Sequence, residues 1–190
     1  MGKLELPEEF VSFDTEYTTW PGAQERGWSG PGEYREIVQI GAVLVRGQEL
    51  VEMSHFQSYV RPVKNPRLSE FFTELTGISQ EIVDGEGLTY SEALNRFAEW
   101  AGESGLYCWG VDLEIMKKNA DLVDIAFPLQ LERKVDVRSV FEAQGIATRD
   151  YNSSTIPKAF GEDPPPSAHD ALNDARSIVQ GLRALQRKVG

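Results

Sequence analysis

Asp14 and Glu16 stand two residues apart at the end of an apolar run, Phe10-Val11-Ser12-Phe13. Residues two apart on a strand share a face. The pair would therefore project together from one strand end. Carboxylates that close repel one another unless a cation neutralises them. A hard divalent ion with oxygen ligands, Mg²⁺ or Mn²⁺, is the natural partner. Alone, an Asp-x-Glu pair is equally consistent with two surface acids where a strand runs into solvent.

Three further residues are candidates for the same chemistry. Asp112 follows the short apolar run Gly105–Gly110 and lies at the start of the helical-looking stretch Val111–Ala120. A strand-to-helix junction is where a sheet edge presents a carboxylate to a site; a plain acid favoured by the helix macrodipole is the alternative. His169 and Asp174 lie five residues apart at the start of the last helical segment. Five helical residues rotate the chain by about 500°, leaving the two roughly 140° apart around the axis. They meet at one site only if His169 belongs to the entry loop or first turn while Asp174 points inward from the helix. An imidazole titrates near neutrality and suits a general base; a loop histidine and a solvent-facing helix acid are the bland alternatives. His55 has no carboxylate or cysteine at ligand spacing, and Cys108 reads as a small buried strand residue.

The elements that must position these residues can be read from pattern. Residues 36–45 are β-branched and apolar, and residues 50–60 read as a strand returning after the turn Arg46–Glu49, forming a hairpin beside the first strand. Glu36, at a strand start, reads as exposed. Residues 70–75 suit a short helix with Ser69 as N-cap and Gly77 as left-handed stop. Thr89–Ala101 has helical apolar spacing. Lys134–Val137 reads as a strand, Arg138–Gln144 as a helix, and Thr155–Phe160 as a short helix with Pro157 in its first turn. The last helix is expected over Ser167–Lys188 with Ser167 as N-cap. Thr18–Glu33, rich in Gly and Pro, reads as a long loop. Its Trp20 and Trp28 either fold back on the domain or offer a face for stacking an unpaired base.

The chain has 190 residues, 41% hydrophobic and 26% charged, without internal repeats, which suits a single domain, 1–190, with its core over about 8–188. No run of 18 apolar residues reads as a membrane span. The stretch Met1–Pro7 lacks the apolar centre of a signal peptide. One cysteine excludes an internal disulfide, so a cytoplasmic protein is the simplest expectation. The net charge of −11 argues against indiscriminate binding to long nucleic acid, yet carboxylates gathered to hold metal ions count as negative until the metals bind.

Taken together in chain order, Asp14, Glu16, Asp112, His169 and Asp174 resemble the signature of the DEDD exonuclease superfamily, in the subgroup with histidine in the last motif. The run His169-Asp170-Ala171-Leu172-Asn173-Asp174-Ala175 is similar to that last motif. The stretch Tyr59-Val60-Arg61-Pro62, Leu68-Ser69 and Leu75-Thr76-Gly77-Ile78-Ser79-Gln80 is similar to the Eri-type branch. The resemblance implies an α/β, ribonuclease H-like fold: a mixed five-stranded sheet, its first three strands antiparallel, flanked by helices. It implies 3′-to-5′ removal of 5′-mononucleotides from single-stranded or 3′-overhanging nucleic acid, RNA slightly favoured and DNA possible. Two ions, Mg²⁺ or Mn²⁺, would be held by Asp14, Glu16, Asp112 and Asp174, with His169 as general base. The 3′-terminal nucleotide would be held by backbone around Thr15 and Thr18 and by the side chain of Tyr17 or Trp20. Lys117, Lys118, Arg138 and Arg176 are the nearest basic residues in sequence; a solvated surface role is the favoured reading for each, with phosphate contact the alternative. Two other classes carry the same acids: a nucleic-acid- or protein-binding module that does not cleave, and a phosphatase for small esters. The enlarged loop after Glu16 departs from the family pattern and bears on substrate preference.

Overall fold

The structure is a computed structural model describing residues 4–166 and 169–190. A central sheet is built from β1 (Glu9–Tyr17), β2 (Ile37–Arg46), β3 (Val51–Tyr59), β4 (Gly105–Cys108) and β5 (Lys134–Asp136). Their order is β3-β2-β1-β4-β5. The pairs β1–β2 and β2–β3 are antiparallel, whereas β1–β4 and β4–β5 are parallel. The expected mixed five-stranded sheet with an antiparallel first half is thus observed. Among the described residues, no helix is long and apolar enough to cross a membrane.

Helices α1 (Glu70–Thr76), α2 (Gln80–Glu86), α3 (Tyr90–Ala101), α4 (Asp112–Leu122), α5 (Val137–Ala143) and α6 (Ala171–Val189) flank the sheet. The period-2 alternation of β1 divides them. Val11 and Phe13 face a core shared with α3 and α4 residues such as Phe97, Leu113 and Met116. Phe10 faces the opposite core, shared with α5 and α6 through Phe141, Ile178 and Leu182. Burying apolar side chains on both faces makes β1 the middle of the molecule, and its end the one place reachable from both layers.

Local chemistry accounts for most boundaries. Ser69 accepts from the Phe72 amide to open α1, and Gly77, at φ 74°, closes it. Thr89 and Glu92 form a reciprocal capping box at α3. Pro157 occupies the first turn of a short 3-10 helix, Ile156–Phe160. Two differences stand out. Helix α2 is not expected from pattern: Asp84-Gly85 is poor in helix propensity, and Ser79, accepting from the Ile82 amide, supplies the start signal. The last helix begins at Ala171, capped by Asp170 rather than Ser167, which lies outside the described residues. His169, at φ 63°, and extended Asp170 precede it, and those dihedrals are incompatible with continuing the helix backwards.

Glu36 is a correction. It is 2% exposed rather than solvated. Its carboxylate accepts from the amides of Val63 and Lys64 at 2.6 and 2.7 Å and also from Asn65, so one buried charge ties the loop after β3 to the start of β2.

Candidate active site

β1 ends with its side chains divided between the two layers. Asp14 and Glu16 lie on the α6 side, as does Ser12, whose hydroxyl donates to the Ala175 carbonyl at 3.0 Å. Thr15 lies on the α4 side and donates to Asp112 Oδ1 at 2.6 Å. The register with β2 shifts between Glu16 and Tyr17, and such irregularities re-aim side chains at a strand end. Asp112 is the first residue of α4, so its carboxylate is presented beside β1 as the chain turns out of β4.

Asp174 reaches the cleft because the start of α6 packs directly on β2. Gly41 pairs with Asp14 in register. A Cβ at Gly41 would lie 2.1 Å from the Leu172 nitrogen, so only glycine permits this approach. Two residues away on the same face, the Gln39 side chain donates to Asp170 Oδ2 at 2.9 Å and accepts from the Ala171 amide at 2.9 Å. Gln39 and Gly41 together fix the entry of α6, and with it His169 and Asp174, against the strand next to Asp14 and Glu16.

The resulting cleft has a volume of about 370 Å³. Asp14, Glu16, Asp112, His169 and Asp174 all line it, together with Thr15 and Tyr17. One ligand atom from each of Glu16, His169 and Asp174 lies within 4.8 Å of the others. Asp14 and Asp112 join the same charge cluster. Burial first, then the fields of Asp112, Asp174 and Glu16, raise the proton affinity of Asp14 well above the carboxylate range. Burial and the fields of Asp174, Asp112 and Asp170 raise that of Glu16. Asp174 is pushed up to about 7, chiefly by burial and against the hydrogen bond from the His169 backbone. Asp112 is pushed to about 6 by burial, restrained by the Thr15 hydroxyl. Burial pushes His169 down, so it stays neutral further into acid.

This is an oxygen-rich donor set with unneutralised charge. Among the described residues the one cationic side chain lining the cleft is Arg138, and it is already paired with Asp136 at 2.6 Å. A hard divalent cation fits that donor set better than any group the chain itself supplies.

Other expected site residues fall elsewhere. Thr18 is buried; its hydroxyl donates to the Tyr34 carbonyl at 2.5 Å and accepts from the Glu36 amide, a structural role. Trp20 does not line the cleft, whereas Trp28 does. The Thr15 hydroxyl is engaged with Asp112, leaving its backbone for a substrate. Lys117 is paired with Asp121, and Arg176 forms a two-pronged pair with Glu52 at 2.9 Å. The pattern gave no sign of Leu75 on α1, Trp109, or the turn Tyr151-Asn152-Ser153, all of which line the cleft. The Ser153 hydroxyl lies near Asp14 and Asp174 and favours their ionised forms. The only sequence signal for that turn was its polarity.

Comparison with known proteins bears on the whole arrangement. The sequence matches the Exonuclease family, RNase_T, over residues 11–182. The 3′-5′ exonuclease Snipper of Drosophila melanogaster is 37% identical over 193 aligned positions, covering 88% of this chain and 66% of Snipper. ERI1 exoribonuclease 3 of Homo sapiens is 39% identical over 72 residues, covering 38% of this chain and 21% of that protein. The 3′-5′ exoribonuclease 1 of Rattus norvegicus is 28% identical over 170 residues, covering 82% and 49%. The chain therefore spans about a fifth to a half of those two exoribonucleases. Among solved structures, the nuclease domain of 3′hExo, a DEDDh family member bound to rAMP, superposes with a TM-score of 0.79 at 23% identity over 96% of this chain and 92% of that one. Escherichia coli exonuclease I in complex with single-stranded DNA gives 0.70 at 14% identity, over 96% and 41%. Both are likenesses of fold, and they share the ribonuclease H-like sheet.

Proposed function

The chain belongs to the Exonuclease family matched by its residues 11–182, and from that membership we propose that it is a metal-dependent 3′-to-5′ exonuclease that releases 5′-mononucleotides from single-stranded or 3′-overhanging nucleic acid. The observation that carries the reading is the meeting, in one cleft, of Asp14 and Glu16 from β1, Asp112 from α4, Asp174 from α6 and His169 from the entry to α6.

Asp14, Glu16, Asp112 and Asp174 would hold two divalent ions, Mg²⁺ or Mn²⁺. When bound, such a pair supplies charge stabilisation to the attacking and leaving oxygens of the phosphodiester. The chain's own residues account for the rest. Neutral His169 accepts the proton of the attacking water. Its neutral state at working pH follows from burial. Thr15 keeps Asp112 oriented and more readily ionised, and the nearby Ser153 hydroxyl favours ionisation of Asp14 and Asp174. The terminal nucleotide fits between Leu75 on α1 and the aromatic wall of Trp28 and Tyr17, whose rings meet edge-to-face with centroids 5.4 Å apart. Aromatic walls of this kind take any base, because every base has a stacking face.

RNA is the favoured substrate on the resemblance to the Eri-type branch, with DNA admitted by the same cleft. The reading is tested with matched RNA and DNA oligonucleotides, each blocked at one end, in Mg²⁺ and in Mn²⁺. Trimming of 5′-blocked strands to 5′-mononucleotides, with 3′-blocked strands resistant, is expected. Internal cutting of a circular single strand, or no metal-dependent cleavage of any strand, refutes it.

A further inference from the structure

Trp28, which walls the cleft beside Tyr17, also borders a second space of about 340 Å³ behind it. It comes from the long loop after β1, and its φ of 56° is one that bulky residues hold only when their surroundings enforce it. Its amide donates to the Ala23 carbonyl at 2.8 Å, and its indole Nε1 donates to the Thr18 carbonyl at 3.1 Å. Those bonds fix the backbone and one edge of the ring. They do not stop its plane from tipping back into the space behind.

Arg35 closes that route. Its guanidinium lies over the indole, 3.9 Å from the ring centroid. Arg35 lines the rear space and not the cleft, so it covers the ring from behind and leaves the other face toward the carboxylates. Among the described residues no carboxylate pairs with it, and Glu33, the one acid lining the rear space, is taken by Arg26. A planar guanidinium stacks flat on an aromatic face, and the ring's quadrupole attracts its charge. The cation is itself held in place. Asn119, on the helix that Asp112 opens, donates from Nδ2 to the Arg35 carbonyl at 2.8 Å and accepts at Oδ1 from the Ile37 amide at 3.0 Å. The amide of Thr18, whose carbonyl anchors the indole, donates to the Glu36 carbonyl at 2.9 Å. Ring and cation therefore hang from one hydrogen-bonded frame.

We propose that Arg35 is a positioning residue that determines specificity without touching the substrate: it braces the Trp28 indole from behind, so that the opposite face grips the base of the 3′-terminal nucleotide. The proposal rests on the exonuclease reading. It makes turnover depend on a base being present at the 3′ end, and it gives the rear space a purpose other than holding nucleic acid.

The test uses two single strands alike except at the 3′ end, where one carries adenine and the other an abasic residue. It compares kcat/KM on the two in the wild type, Arg35→Gln and Arg35→Lys. The wild type should prefer the base-ended strand by about 10²-fold, within the range for one base stacked on an aromatic side chain. Arg35→Gln should reduce that preference about tenfold. The reduction should come from a higher KM on the base-ended strand with kcat unchanged, the pattern for loss of an interaction made equally in the ground and transition states. KM on the abasic-ended strand should not move, a selectivity that general damage to the loop would not produce. Arg35→Lys should fall between the two, because it keeps the charge and loses the plane. The slope of log(kcat/KM) against log salt should be the same in all three. An equal loss on both strands, an unchanged preference in both variants, or a loss carried by kcat overturns the proposal and leaves the exonuclease reading intact. So does a wild type indifferent to the terminal base, or a salt slope flattened by about 0.7 in Arg35→Gln, which would make Arg35 a phosphate ligand. A wild type that trims neither strand refutes the exonuclease reading, and this proposal with it.

Discussion

Replacing Asp174 with asparagine should stabilise the metal-free protein at pH 8 and leave it little changed at pH 4. Burial holds the Asp174 carboxyl protonated up to about pH 7 in the folded state, whereas an unfolded aspartate titrates near about 3.9. The folded chain therefore binds this proton more tightly than the unfolded one. The associated stability is complete below about pH 4 and is lost as pH rises through about 7. With about three pH units between the two states and about 1.36 kcal/mol for each, the ionised carboxylate costs the apo fold on the order of 4 kcal/mol at pH 8. Asparagine keeps an acceptor oxygen in nearly the same shape but carries no charge. For a chain of this size about 1 kcal/mol corresponds to roughly 2–4 °C, so a rise in Tm on the order of 10 °C is expected. Asp112, pushed to about 6, still titrates in the variant and leaves it a shallower pH dependence. Thermal unfolding in a chelator from pH 4 to pH 9 measures the effect. Adding Mg²⁺ or Mn²⁺ should narrow the difference at pH 8, because a ligand present at 100 times its Kd stabilises the wild type by about 2.7 kcal/mol. A variant no more stable than the wild type at pH 8, or stabilised equally at pH 4, would refute the claim that uncompensated charge strains this site.

Three further outcomes are expected. Asp14→Ala should abolish cleavage and lose divalent-ion binding by calorimetry while keeping its circular dichroism, since deleting one of several repelling carboxylates does not harm the apo fold; near-normal turnover would remove Asp14 from the site. His169→Ala should lose about 10²–10⁴-fold in single-turnover rate with little change in ion affinity. The wild-type rate should fall in acid below the ordinary histidine range, because burial depresses His169, and an identical acidic limb in the variant would assign that titration elsewhere. Gly41→Ala should displace the start of α6, costing about 1–3 kcal/mol of stability by overpacking and about 10²-fold in rate through misplacement of His169 and Asp174; a fully active variant would show that the close approach is dispensable.

The sheet and most helices were legible because their signals are local: the alternation in β1, the continuous apolar run of β2, the caps at Ser69 and Gly77, the proline at 157. That five candidate residues would gather in one cleft was legible because strand ends and helix starts are marked in sequence, and each lies at or beside one. Residues whose meaning depends on a distant partner were not legible. Glu36 looks like a surface acid until the loop around Val63 folds over it. Gln39 and Gly41 look like ordinary strand residues until α6 arrives against them. Leu75 and Ser153 gain significance only as walls of a space assembled from α1, β1 and α6. Trp20 and Trp28 are indistinguishable as loop tryptophans; the turn that sends one to the cleft is fixed by hydrogen bonds that Trp28 makes to Thr18 and Ala23.

The docking of α6 on β2 also sets when the cleft can be complete. Asp14 and Asp174 are far apart along the chain, and a growing polypeptide that has emerged through residue 165 carries all five strands but lacks His169, Asp174 and the α6 side of the second core, Leu172, Ala175, Ile178, Val179, Leu182 and Leu185. A ribosome-bound chain, surrounded by RNA, therefore holds an incomplete set of acids and no general base. Competence arrives last, with the helix that also seals the second core. Refolding from denaturant should show the same order, with activity recovering only in the kinetic phase that buries α6, and a peptide spanning 164–190 added to the chain truncated before it should switch the nuclease on in proportion to its binding.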